Sequence, residues 1–118
     1  MKYMLLINGD ETRLNPEPDP EGPKVSPEFI AYTQAMKKAG VWRDGDRLKQ
    51  TRHGARVRVR DGKAQVLDGP YADAKEQLGG YYMIEVPTFE EAISWATRCP
   101  AATLGTIEVR PMVGVSVD

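Results

Sequence analysis

Three groups of residues in this chain are of types that do chemistry, and the first is centred on Asp68. A carboxylate at a strand end, followed by Gly69 and Pro70 that fix the backbone, is well held for proton transfer. The same Asp-before-Gly also reads as a plain turn former, its carboxylate folded onto nearby N–H groups. Tyr71, Lys75 and Glu76 follow closely enough to share one cleft with Asp68 if the intervening chain folds back. There Lys75 and Tyr71 would hold an anionic ligand, while Asp68 or Glu76 would serve as acid–base catalyst. Alternatively Glu76 is a surface group whose ion pair contributes at most about 1 kcal/mol.

The second group is His53, the only histidine, between Arg52 and Gly54. A histidine can act as base or metal ligand, but this polar setting favours a surface loop residue. Cys99 is the only cysteine and reads as a small buried hydrophobe just before Pro100. One His and one Cys exclude a structural zinc site and an intramolecular disulfide, so no metal or cofactor is expected.

The third group is Arg56, Arg58 and Arg60, about 7 Å apart along one strand face. Such a row can contact phosphates. However, no aromatic platform interleaves with it, and the net charge is −1. Both points argue against nucleic-acid binding. The stretch from Arg43 to Lys63 holds eight Lys/Arg against three Asp, an asymmetry that a solvated face explains equally well.

Elements must position these groups. Tyr3–Ile7 reads as a short buried strand. Asn8 to Pro27, crowded with Pro, Glu, Asp and Gly, reads as a long surface loop. Ser26, Pro27 and Glu28 then form a helix start, with Val25 and Ile30 spaced as a hydrophobic staple. Gly40 is placed to end that helix. The chain is polar after Trp42. It then gives strand 55–60, an Asp61-Gly62 hairpin turn and the return strand 64–67. A helical turn is expected over 72–77, and Gly79-Gly80, placed for close backbone packing, leads into strand 81–86. Thr88 and Glu91 form a capping box for a second helix burying Ala92, Ile93 and Ala96. A last strand covers 106–110.

In order this is an α+β chain of ferredoxin-like, split βαβ pattern with an extra hairpin, one domain over residues 1–118. Two helices cover one sheet face. Met4, Leu6, Tyr81 and Met83 point to the other, so a sheet-against-sheet homodimer is expected. No apolar run is long enough to span a membrane and no signal peptide is evident, which fits a cytoplasmic protein.

Three stretches together resemble a known family: Met1-Lys-Tyr-Met-Leu-Leu-Ile7, Asp68-Gly-Pro-Tyr-Ala-Asp-Ala-Lys-Glu-Gln-Leu-Gly-Gly80 and Gly105-Thr-Ile-Glu-Val-Arg-Pro111. The chain is similar to the YCII-related superfamily and, within it, to DGPF-type proteins, whose motif is matched by Asp68-Gly69-Pro70-Tyr71, with Tyr in place of Phe. The resemblance implies a dimeric α+β barrel. Some members are encoded beside extracytoplasmic-function sigma factors, and a few wider relatives act on small lactones and chlorinated acids. Fold likeness alone does not transfer activity. Three functions stay open: a dimer binding a small, anionic molecule in the barrel cleft near Asp68, a cofactor-free isomerase or lyase, and an interaction module tied to sigma-factor regulation.

Overall fold

The computed structural model describes residues 1–16, 26–71 and 75–114. Strand β1 (Lys2–Gly9) is followed by a one-turn helix α1 (Glu11–Leu14), then α2 (Pro27–Lys38) and β2 (Trp42–Arg47). Strands β3 (Ala55–Arg60) and β4 (Lys63–Asp68) form a hairpin. Strand β5 (Gln77–Glu85), helix α3 (Phe89–Thr97) and β6 (Gly105–Pro111) complete the order. Short 3-10 turns cover Thr51–His53 and Pro100–Thr103.

The main sheet runs β2-β5-β1-β6, with every neighbouring pair antiparallel. The β1–α2–β2 crossover therefore brackets β5, and the β5–α3–β6 crossover brackets β1. This interleaving is the ferredoxin-like arrangement. Alternation along β1 and β5 sends Tyr3, Leu5, Ile7, Tyr82, Ile84 and Val86 to the helix side, where all are buried. Tyr32 and Met36 of α2 and Ala92 and Ala96 of α3 close that core, with Cys99 and Ala101 beside them.

Both long helices start as their sequences dictate. The Ser26 hydroxyl accepts from the Phe29 N–H at 3.4 Å, and the Thr88 hydroxyl accepts from the Glu91 N–H at 3.2 Å. Gly40, at φ 75°, takes the left-handed conformation that ends α2.

Several expectations are corrected. The strand completing the first βαβ unit is β2, which lacks an apolar alternation, and not the strand after it. The region expected to be one loop after Asn8 holds the end of β1, helix α1 and the buried Asn15, while residues 17–25 lie outside the described ones. Val25, half of the expected staple, is among those, and Ile30 is exposed. Ile93 points to solvent rather than into the core. Of the helical turn expected over 72–77, residues 72–74 are not described; Lys75 and Glu76 form a bend, and Gln77 already belongs to β5.

The second sheet face carries Met4 and Leu6 of β1 with Tyr81 and Met83 of β5, all half-buried. Asp44, Asp46, Glu85, Glu108 and Arg110 border them. Tyr81 donates its hydroxyl to Asp44 Oδ2 at 3.0 Å, and this bond raises the tyrosine pKa above its ordinary value. The β3–β4 hairpin stands apart as its own two-stranded sheet, turned by Asp61 and Gly62 at positive φ. Among the described residues no helix is long and apolar enough to cross a membrane.

Candidate functional site

A cleft of about 490 Å³ lies near the expected site, at the foot of the hairpin. Its position follows from three fixed connections. First, the chain leaving β2 is tied to β5: the Leu48 N–H donates to the Gly79 carbonyl at 2.9 Å. The buried Asn15 side chain donates to the Leu48 and Gly79 carbonyls at 2.9 and 3.0 Å, and Gln50 Nε2 donates to the Asn15 carbonyl at 2.7 Å. A side chain on Gly79 would meet Leu14, and one on Gly80 would meet the Asp46 carbonyl, so this pair permits the close backbone packing expected of it.

Second, Glu11 clamps the turn that follows. Its carboxylate accepts from the Thr51 N–H at 2.8 Å and from the Thr51 hydroxyl at 2.7 Å. Its own N–H donates to Gln77 Oε1 at 3.2 Å, joining the turn to the start of β5. A helix of only one turn is thus held in place through its carboxylate.

Third, the Asp68-Gly69-Pro70-Tyr71 segment shapes the hairpin foot. Asp68 is the last residue of β4 and pairs with Ala55. The Gly69 N–H donates to the Gly54 carbonyl at 3.0 Å, and Gly69 lies so close to the Thr51 carbonyl that a Cβ there would collide with it. The Gly69–Pro70 peptide is cis. Tyr71 then turns its ring under Arg56, whose guanidinium carbon lies 3.8 Å from the ring centroid. Such a cation–π contact holds a flexible side chain in one direction.

Around the cleft the charged groups are Lys49, Arg56 and Glu76, with His53, Gln50, Gln77 and Tyr71 as polar partners and Leu48 and Leu78 as apolar wall. Of the residues singled out from sequence, Tyr71 and Glu76 line this cleft. Asp68 and Lys75 are exposed and lie outside its lining. His53, expected to be a plain surface loop residue, is exposed but sits on the cleft wall. Lys49, Gln50 and Arg56 escaped sequence reasoning as cleft residues. The available signal was the Arg row itself, whose first member faces an aromatic ring. Among the described residues, no three His, Cys, Asp or Glu side chains come together as a metal site.

An interleaved four-stranded sheet with an inserted hairpin, and a cleft at the hairpin foot, define a ferredoxin-like α+β protein. The profile of the YCII-related domain matches residues 1–116, so the chain belongs to the YCII-related family. It is also similar to an uncharacterized protein of Rhizobium meliloti (strain 1021), 32% identical over 114 residues, which covers 95% of this chain and 92% of the relative.

Proposed function

We propose that this protein is a cytoplasmic homodimer of the DGPF type that binds a small anionic molecule in the cleft at the hairpin foot. The observation that carries the reading is Arg56, held over Tyr71 on the wall of a cleft that also presents Lys49 and His53. The two cations Lys49 and Arg56 against the single carboxylate of Glu76 favour an anion, with the His53 ring on the same wall. Pockets for small ligands run to about 300–1,000 Å³, which brackets this one. The Asp68-Gly69-Pro70-Tyr71 sequence supports the DGPF assignment, since each of its residues shapes the foot. The apolar stripe of Met4, Leu6, Tyr81 and Met83 supports the dimer.

The acid–base reading, a cofactor-free isomerase or lyase, is favoured by one observation. Glu76 shares the cleft wall with His53, so a proton acceptor and a second titratable group border the same space. Asp68 would join them only by reaching in from the hairpin foot.

Isothermal titration of the protein with inorganic phosphate and a panel of small mono- and dicarboxylates tests the binding. At least one anion is expected to bind, and Arg56→Ala is expected to weaken it by about tenfold or more, equivalent to about 1.4 kcal/mol. Absence of binding across the panel at millimolar concentration would overturn the proposal.

A further inference from the structure

The β3–β4 hairpin presents an apolar face to solvent. Val57 pairs with Val66 and Val59 with Ala64 across the ladder, so these four side chains share one side. Val57, Val59 and Val66 are 65%, 59% and 62% exposed. Arg56, Arg58, Arg60, Lys63 and Gln65 occupy the other side, with Leu67 the one apolar residue among them. This alternation is that of a strand with one face buried and one in water, yet every residue of both strands is exposed in the single chain. A lone two-stranded hairpin is marginally stable in water at best. Its foot, by contrast, is firmly set by the Gly54–Gly69 bond, the close approach of Gly69 to Thr51 and the Arg56–Tyr71 stack. A firmly aimed arm with an uncovered apolar face calls for a covering body.

We infer that this body is a second copy of the chain, with each protomer's hairpin laid by its Val57–Val66 face against its partner. The inference rests on the homodimer proposed above and adds the element that completes it. Four strands about 4.8 Å apart, overlapping over about seven residues at 3.3 Å each, give the open sheet face a footprint of roughly 440 Å². A stable dimer buries about 800 Å² per partner, so that face alone falls well short. One hairpin face, two strands wide and six residues long, adds roughly 200 Å². In a two-fold pair each protomer gives one arm and receives one, so the arms roughly double the contact. Arg58, Arg60 and Lys63 are left facing water, where they keep the arm soluble.

The test compares the full-length protein with a Val57→Lys/Val66→Glu variant, whose opposite charges face each other across the ladder, by sedimentation equilibrium, with circular dichroism to follow the fold. Both positions are solvent-exposed in the single chain, so the substitutions leave the monomer fold intact. The wild type is expected to dimerise, and the variant's dimer dissociation constant is expected to rise by about 100-fold or more. Hydrogen exchange gives a second readout: the β3 and β4 amides should be protected in the dimer and exposed on dilution. A wild-type dimer whose dissociation constant the variant leaves within about threefold would overturn the arm while keeping the dimer. A wild type monomeric at the highest soluble concentration would overturn the dimer itself. Hairpin amides equally protected in the monomer would also sink the inference, because the arm would then need no partner.

Discussion

The guanidinium of Arg56 lies 3.8 Å from the centre of the Tyr71 ring, which ties the first strand of the hairpin to the chain that leaves its second. The two residues are on opposite sides of the cleft foot in sequence, separated by the whole hairpin. Their contact is worth about 0.5–1 kcal/mol at an exposed site, more when desolvated. Its larger effect is to hold a positive charge on the cleft wall. Tyr71→Phe keeps the ring and should leave anion affinity within about twofold, whereas Tyr71→Ala removes the ring under Arg56 and should weaken binding by about tenfold. Titration of both variants with the anion identified for the wild type distinguishes orientation by the ring from hydrogen bonding by its hydroxyl.

Glu11→Ala should destabilise the fold through residues far from it in sequence. The substitution removes both acceptors of Thr51, at 2.8 and 2.7 Å, and leaves the 3-10 turn at the cleft wall unclamped. Hydrogen bonds to a charged group contribute about 1.5–3 kcal/mol; because Glu11 is half-buried, the lower end of that range, about 1.5 kcal/mol, is expected. Urea denaturation monitored by tryptophan fluorescence measures it. Glu11→Gln, which keeps one acceptor oxygen for Thr51 and replaces the other with an NH2 donor, should fall between.

How far these features could be read from the chain depends on whether they bury apolar surface. The central strands β1 and β5 and both long helices carry that signature and are where the pattern places them. Strand β2, Trp42-Arg-Asp-Gly-Asp-Arg47, carries none. It is an edge strand whose face toward the helices offers Trp42, Gly45 and Arg47, and whose other face holds Asp44 and Asp46. Its place in the sheet comes from backbone pairing with β5, and backbone pairing leaves no mark on side-chain periodicity. The cleft is similar. Tyr71 and Glu76 were legible because they follow a recognisable motif. Lys49 and Gln50 join them only because the Glu11 and Asn15 side chains hold the 48–51 segment against the start of β5, and Arg56 because it stacks on Tyr71.

Tyr32 predicts the alkaline limit of stability. Its hydroxyl donates to the Trp95 carbonyl at 2.6 Å, bridging α2 and α3. Burial first, then the neighbouring Cys99 and Tyr82, push its pKa well above the usual tyrosine value. Burial likewise raises that of Tyr82. A group whose pKa is raised by folding contributes stability that is complete below its unfolded value, near pH 10, and is lost as the pH climbs beyond it. Denaturation midpoints should therefore hold from neutral pH to about pH 9.5 and then fall. Tyr32→Phe should lower stability at pH 7 by about 1–2 kcal/mol, since the Trp95 carbonyl loses its donor. The same variant should show a shallower alkaline decline, because one of the two buried tyrosines whose pKa folding raises is gone.

Asp68→Asn separates the two roles open to the motif's carboxylate. Asp68 is exposed, ends β4 and pairs with Ala55, outside the lining of the cleft. A neutral isostere keeps the strand pairing, so the unfolding free energy should change by no more than about 0.5 kcal/mol. Anion affinity should stay within about threefold or improve slightly, because one negative charge near the cleft is removed. Glu76→Gln, on the cleft wall, should strengthen anion binding more than Asp68→Asn does. The comparison is made by titrating both variants and the wild type side by side and following thermal unfolding of each. A tenfold loss of affinity in Asp68→Asn without loss of stability would place that carboxylate at the ligand and make acid–base chemistry the better account of the cleft.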